Sequence, residues 1–131
     1  MIPLVDLTAQ YHTIQAEIDA AVHEVLENGH FILGPSVTAL EQEIGAHLGV
    51  KHSLGVASGT DALVIALRAC GVGPGDEVIV PAYSFFATAG AVMLVGAIPV
   101  FVDIYPNTYC LNVEQVADRI TARTRAIIPV H

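Results

Sequence analysis

The sequence predicts an α/β fold in which helices cover both faces of a mainly parallel sheet, a three-layer αβα arrangement. Short apolar runs alternate with helical patterns from residue 54 to residue 130, and parallel strands joined by helical crossovers produce this order. Of the 131 residues, 53% are hydrophobic and 14% are charged, which favours a buried sheet over a disordered chain.

Two amphipathic helices precede this alternation. The first is predicted over residues 13–27, where apolar side chains recur at helical spacing, and Asn28 with Gly29 ends it. After an apolar loop at residues 30–35, Ser36 is expected to cap a second helix, which Gly49 closes.

The turn Ser58-Gly59-Thr60 joins a strand predicted over residues 54–56 to a helix predicted over residues 62–69. The first N–H groups of a helix have no partner within it, and the helix dipole makes that end weakly positive. Two hydroxyl residues and a glycine therefore suit an anion such as a phosphate. The same residue types are also the usual helix caps, so the turn by itself indicates either an N-cap or an anion site.

The remaining elements repeat the order of strand and then helix. Residues 71–75 contain three glycines, but these follow a helix and precede a strand, the reverse of a dinucleotide-binding fingerprint. Tyr83 and Phe85 follow a strand, where ligands of open α/β sheets bind. Asn112 and Gln115 resemble a capping box. The predicted elements are helix 62–69, strand 77–80, helix 87–94, strand 98–102, helix 113–120 and strand 126–130. Helix 62–69 is apolar nearly all round, so we expect it to be buried.

Charge and composition limit the partners. Five basic and thirteen acidic residues give a formal charge of −8, which disfavours nucleic acid and anionic membranes. Residues 78–102 carry no charge, but prolines and glycines divide them into core elements rather than a membrane span. Residues 1–6 lack the basic start of a signal peptide. Because Cys70 and Cys110 are expected to be reduced thiols, a cytoplasmic location is expected.

Cysteine and histidine patterns predict no metal site. Cys70 and Cys110 lie in different segments and are expected to be buried or semi-buried reduced thiols. The segment from His23 to Glu27 matches half of a zinc-protease motif, but the second histidine is missing, so a solvated helix face explains it.

Six segments in order give the chain a family resemblance: residues 3–7, 29–35 (GHFILGP), 57–63 (ASGTDAL), 73–79 (GPGDEVI), 96–103 (GAIPVFVD) and 121–131 (TARTRAIIPVH). Together they resemble the DegT/DnrJ/EryC1/StrS family of pyridoxal-phosphate (PLP) dependent sugar aminotransferases, members of aminotransferase fold type I. The resemblance implies that residues 1–131 comprise an N-terminal segment and, from about residue 53, part of the large PLP-binding domain, without the C-terminal domain.

The resemblance also assigns roles to individual residues. The backbone amides of Gly59, Thr60 and Asp61, with the Thr60 hydroxyl, match the cradle for the PLP phosphate, and Phe85 matches the aromatic that stacks on the pyridine ring. Phe31 and Tyr83 fall in segments that line the sugar side of the pocket in relatives. His131 matches a histidine near the cofactor, with no role assigned to it.

Catalytic residues of the family are not expected in this sequence. In the family a lysine forms a Schiff base with PLP and an aspartate pairs with the pyridinium nitrogen, and both would lie beyond His131. The sequence stops directly after a core strand, from which we expect a truncated and inactive chain. Its only lysine, Lys51, is expected to be an exposed surface residue.

For the whole enzyme the resemblance implies transfer of an amino group, with L-glutamate as donor, to a nucleotide-linked keto sugar for amino-sugar biosynthesis. The opening residues and residues 29–34 favour relatives that use 3-keto over 4-keto sugars, and relatives are homodimers. Two other functions remain open from the residues: a phosphate- or nucleotide-binding α/β domain without catalysis, and an inactive truncated product.

Overall fold

The computed structural model describes residues 5–131, so the first four residues, including the start of the first family segment and most of the stretch considered for a signal peptide, lie outside the described residues. The chain divides into two compact units, one extending to Gly55 and the other spanning Val56–His131. Each unit is described by itself below.

The first unit contains two helices, α1 (Leu7–Asn28) and α2 (Pro35–Leu48). Helix α1 begins six residues before the predicted start because the Asp6 side chain caps it, with Oδ1 accepting from the Ala9 N–H at 2.9 Å. It bends at Ile14, whose φ of −127° departs from helical values. Gly29 closes it in the left-handed conformation at φ 65°, as predicted.

The predicted N-cap of helix α2, Ser36, is wrong. Ser36 lies inside the helix, and Gly34 is the N-cap, with no side-chain hydrogen bond. Pro35 occupies the first turn, where its fixed φ and missing N–H cost nothing. The end of α2 is confirmed, since Gly49 closes the helix at φ 65°.

The strand predicted over residues 54–56 is wrong, because the structure assigns no strand there. Leu54 is 79% exposed, and the Gly55 N–H donates to Glu41 Oε1 at 2.7 Å instead of to a neighbouring strand. An apolar run becomes a strand only where a second strand satisfies its backbone groups, and no described strand pairs with these residues.

The second unit alternates helices and strands, as predicted. Its elements are α3 (Gly59–Ala69), β1 (Glu77–Pro81), α4 (Ala87–Leu94), β2 (Ile98–Val102), α5 (Val113–Arg119) and β3 (Thr124–Ile127). The turn before β1 is confirmed as well, since Asp76 Oδ2 accepts from the Gly73 N–H at 3.0 Å and Gly75 adopts a positive φ of 89°.

All strand pairs among the described residues are parallel, and the sheet order is β2-β1-β3. Strand β1 is central, with a hydrogen-bonded neighbour on each side, and it is buried along its whole length because helices cover both of its faces. Val78 and Val80 pack with Leu67 and Val92, from α3 and α4 respectively. Ile79 points to the opposite face and packs with residues that include Val116 of α5. Helices therefore cover both faces, which confirms the three-layer αβα architecture.

Two boundaries differ from the predictions near the end of the chain. Strand β3 begins two residues earlier than predicted and ends at Ile127, although the next N–H, that of Ile128, still donates to the Ile79 carbonyl at 2.9 Å. Only half of the predicted capping box forms: Asn112 Oδ1 accepts from the Glu114 and Gln115 N–H groups, but the Asn112 N–H donates to the Asp103 carbonyl.

Two further sequence predictions concern burial, that of helix α3 and that of the two cysteines. Helix α3 is not buried all round, since Leu67 is its one fully buried residue and Ile65 is 50% exposed. Cys70 is exposed rather than buried, because it caps the C-terminus of α3, whereas Cys110 is partly buried. No described helix combines the length and apolar character needed to cross a bilayer. Within residues 5–131, no cluster of three or more metal-ligating side chains occurs.

Candidate cofactor site

The N-terminus of α3 carries the turn that was ambiguous in the sequence. Ser58 Oγ accepts from the Asp61 N–H at 3.1 Å and lies 2.7 Å from Asp61 Oδ2, to which its hydroxyl donates. Ser58 is therefore the helix cap, and its hydroxyl is fully engaged with Asp61.

Gly59 and Thr60 present the N–H groups that this cap leaves free. Among residues 5–131, no hydrogen bond uses either backbone N–H, as expected for the first turn of a helix. Gly59 is exposed, Thr60 is half-buried, and the space that a side chain at Gly59 would occupy is open. Two donors at the positive end of the α3 dipole can therefore approach an anion directly.

A cleft of about 480 Å³ lies beside this helix terminus. Thr60 contributes to its wall together with Phe85, and the remaining lining residues are Phe86, Ala87, Gly90, Met93 and Leu94. Phe85 comes from the loop after β1 and is 80% exposed. The structure thus brings together two residues, 25 positions apart in the sequence, that sequence reasoning had assigned to one ligand.

Gly90 shapes the cleft by admitting an aromatic ring. A Cβ at this position would lie 3.1 Å from Cε1 of Phe86, so the absence of a side chain lets the Phe86 ring rest on α4. An amide and hydroxyl donor set at one end and apolar rings along the wall suit a phosphorylated aromatic ring. The residues of this cleft therefore fit PLP.

A second cleft, of about 610 Å³, shares Phe85 with the first. Its other lining residues are Tyr83, Ser84, Thr108, Tyr109, Val130 and His131. The Tyr83 and Tyr109 rings are 5.8 Å apart and tilted by 38°. Sequence reasoning missed Thr108 and Tyr109, since residues in a loop between β2 and α5 carry no periodic signal that would place them beside Tyr83.

Two other residues singled out in the sequence belong to the first unit. Phe31 lies in the loop between α1 and α2 and is 67% exposed. Lys51 is exposed, as predicted, in the segment that follows α2.

Comparison with known proteins identifies the family. A curated relative, UDP-N-acetyl-3-dehydro-alpha-D-glucosamine 3-aminotransferase from Acidithiobacillus ferrooxidans, is 51% identical over 130 residues, covering 99% of this chain and 35% of the relative. The solved structure of Streptomyces venezuelae DesV in complex with ketimine intermediate superposes with a TM-score of 0.94 at 45% identity, over 99% of this chain and 35% of that one.

A further similar structure was solved with a bound cofactor. NtdA from Bacillus subtilis, solved with bound cofactor PMP, has a TM-score of 0.84 at 41% identity, covering 88% of this chain and 27% of its own. The present chain thus spans about a third of the length of these relatives. The model of the DegT/DnrJ/EryC1/StrS aminotransferase family matches residues 12–131, and the chain belongs to this family.

Proposed function

We propose that this chain forms the phosphate-binding and ring-stacking part of a PLP-dependent aminotransferase that acts on a UDP-linked 3-keto sugar. The observation that carries the proposal is the cleft that Thr60, at the N-terminus of α3, lines together with the exposed ring of Phe85. Family membership supports the reaction class, and the name of the relative from A. ferrooxidans supports the substrate class.

The residues of the cleft have separate tasks in this proposal. The Gly59 and Thr60 N–H groups and the Thr60 hydroxyl bind the phosphate, and the Phe85 ring holds the plane of the pyridine ring. The Asp61 N–H already donates to Ser58 Oγ, so we propose that Asp61 supports the cradle through the helix cap. PLP, when bound, supplies an electron-withdrawing ring that carries the amino group between donor and acceptor.

The proposed overall reaction balances without an external oxidant. L-Glutamate loses its amino group and becomes 2-oxoglutarate, while the ketone carbon of the sugar gains that amino group and a hydrogen. The keto oxygen of the sugar is formally exchanged for the nitrogen of glutamate. We propose that the Schiff-base lysine and the pyridinium-pairing aspartate are supplied by residues outside this sequence, and that residues 1–131 alone are inactive.

The same proposal covers organisation and location. We propose that residues 1–131 are an N-terminal segment and part of the large domain, within a cytoplasmic homodimer. The exposed apolar loop Phe31, Ile32 and Leu33, which is 67–86% exposed, supports the dimer, since such surfaces mark interfaces. Sedimentation of the full-length protein at two concentrations tests this assembly.

Spectroscopy of the full-length protein tests the function. With PLP bound, L-glutamate should bleach the visible absorbance band of the cofactor, and a UDP-linked 3-keto sugar should restore it while 2-oxoglutarate accumulates. Lys51→Arg serves as the control and should leave both steps unchanged, because Lys51 is an exposed residue. Sugar-nucleotide binding without any spectral response to glutamate would instead identify a non-catalytic binding domain.

A further inference from the structure

We propose that Tyr109 is a positioning residue for the sugar-nucleotide substrate, in the cleft that adjoins the candidate cofactor site. This inference rests on the proposed function and extends it to a residue that had no assigned role. Three observations carry it: the backbone of Tyr109, the placement of its ring, and the residue shared between the two clefts.

The backbone of Tyr109 adopts the left-handed conformation, with φ at 59°. A bulky non-glycine residue is unfavourable there and remains only when its surroundings hold it in place. The Tyr109 N–H donates to the Tyr105 carbonyl at 2.9 Å, and the Tyr105 N–H donates to the Cys110 carbonyl at 2.9 Å. A bridge between Ile104 and the buried Leu111 closes the loop. Such strain clusters at ligand sites.

The ring of Tyr109 lies beside that of Tyr83. The two rings lie 5.8 Å apart, within the range of aromatic pairs, yet the Tyr109 side chain remains 61% exposed. One aromatic pair therefore forms a wall of the second cleft with both phenol groups available to a ligand. Aromatic faces pack against the apolar faces of ring ligands, and phenol hydroxyls donate or accept hydrogen bonds. A sugar presents both kinds of surface.

Phe85 connects this wall to the cofactor. Because Phe85 lines both clefts, a ligand in the cleft of Tyr109 and a ring that stacks on Phe85 would have the Phe85 side chain as a common wall. Group transfer requires the reacting atoms to be held close together and in a fixed orientation. The substrate side of the site is therefore the cleft that contains Tyr83 and Tyr109.

The experiment uses the full-length protein and three substitutions of Tyr109. Tyr109→Asn removes the ring but tolerates the left-handed backbone, Tyr109→Gly removes both the ring and the strain, and Tyr109→Phe retains the ring. Asn107→Gly, in the same loop but outside the cleft lining, is the matched control for loop flexibility. UDP-N-acetylglucosamine, which lacks the reactive ketone, serves as the calorimetric probe of binding.

The Asn and Gly variants should bind the probe roughly 2- to 10-fold more weakly, which corresponds to the loss of one aromatic contact. Their KM for the keto sugar should rise by a similar factor, while KM for L-glutamate and the melting temperature match those of Asn107→Gly. Tyr109→Phe should retain most of the affinity. Wild-type protein that does not bind the probe, or equal binding by wild type and Tyr109→Asn, would overturn the inference.

The proposed function can fail separately from this inference. A protein that binds the probe through Tyr109 but transfers no amino group would contradict the aminotransferase proposal and support the role of Tyr109. If the protein transfers the amino group but its KM for the keto sugar is unchanged in Tyr109→Asn, the aminotransferase proposal is supported and the role of Tyr109 is contradicted.

Discussion

Ser58 and Thr60 show how neighbouring hydroxyl residues acquire different roles. In the sequence both could cap a helix or bind an anion. In the structure Ser58 Oγ is engaged by the N–H and the carboxylate of Asp61, so the capping role belongs to Ser58. Thr60 has no part in that cap and lines the cleft with Phe85. The structure therefore confirms the capping role for Ser58, whereas binding of an anion by Thr60 belongs to the proposed function.

At the residue scale, Thr60→Val should weaken PLP binding to the full-length protein. Val preserves the shape of Thr but removes the hydroxyl, and loss of a charge-assisted hydrogen bond to phosphate costs about 1.5–3 kcal/mol. Fluorescence titration of the apoprotein with PLP measures the change. Thr60→Ser should retain most of the affinity, and Thr38→Val, in the other unit, is the control. Unchanged PLP affinity in Thr60→Val would restrict Thr60 to a structural role.

Helix α5 illustrates how one side chain can define the start of an element. It is only seven residues long, and Asn112 Oδ1 accepts from the N–H groups of Glu114 at 3.1 Å and Gln115 at 3.4 Å. The same residue links the helix to the loop after β2, because its N–H donates to the Asp103 carbonyl. A short helix depends strongly on such a cap, since few internal hydrogen bonds support it.

Asn112→Ala should therefore lower the free energy of unfolding by about 1 kcal/mol, the usual cost of losing an N-cap side chain. Urea denaturation followed by circular dichroism measures the difference. Asn112→Ser should recover most of the stability, because a serine hydroxyl can accept the same bonds. A destabilisation of equal size in both variants would mean that the amide group of Asn112 has another role.

Strand β1 is the element on which the second unit depends. Ile79 on this strand is fully buried, whereas Ile127 on the neighbouring β3 is 44% exposed. Ile79→Ala should lower the free energy of unfolding by about 2–5 kcal/mol, because it removes buried methyl groups and leaves a cavity. Ile127→Ala, the same substitution at a half-open site, should cost clearly less. Equal losses in urea denaturation would contradict the role of Ile79 as a core residue.

At the scale of the whole molecule, an acidic protein with a charge of −8 has few basic side chains to neutralise its carboxylates. Two ion pairs nevertheless join distant parts of the second unit: Arg125 Nε lies 3.4 Å from Asp76 Oδ1, and Arg123 pairs with Glu77. Glu77, buried at the start of β1, accepts from the Thr121 hydroxyl at 2.5 Å and pairs with Arg123. The hydrogen bond from Thr121, with that from Arg123, holds the pKa of the Glu77 carboxyl below its ordinary value of 4.5.

This pKa shift predicts a loss of stability in acid. Between the lowered pKa of folded Glu77 and 4.5, the unfolded chain binds more protons than the folded one, so stability falls as pH decreases through that range. At neutral pH the contribution is fully present. Urea denaturation of wild type and Glu77→Gln at pH 7 and below pH 4.5 measures this contribution. The free energy of unfolding should decrease less in the variant than in wild type between the two pH values. If the free energy of unfolding depends on pH identically in both proteins, Glu77 does not cause the loss of stability in acid.

Local patterns in the sequence were sufficient to predict most helices and strands of the second unit. The helix 87–94 and the strand 98–102 were predicted with the bounds that the structure has, because both are apolar and bounded by turn residues. The failures occurred where a distant partner decides the outcome. Residues 54–56 have strand composition but no described neighbour, and Asn112 donates its N–H to Asp103 rather than entering a full capping box.

The sequence by itself determined the alternation of helices and strands, the parallel sheet, and the location of the capped turn at the start of α3. These features follow from hydrophobic periodicity and local turn chemistry, which act over a few residues. Tertiary structure alone decided that Thr60 and Phe85 share one cleft and that Tyr109 lies against Tyr83. Such contacts depend on how loops return over a folded sheet, and no local pattern encodes that geometry.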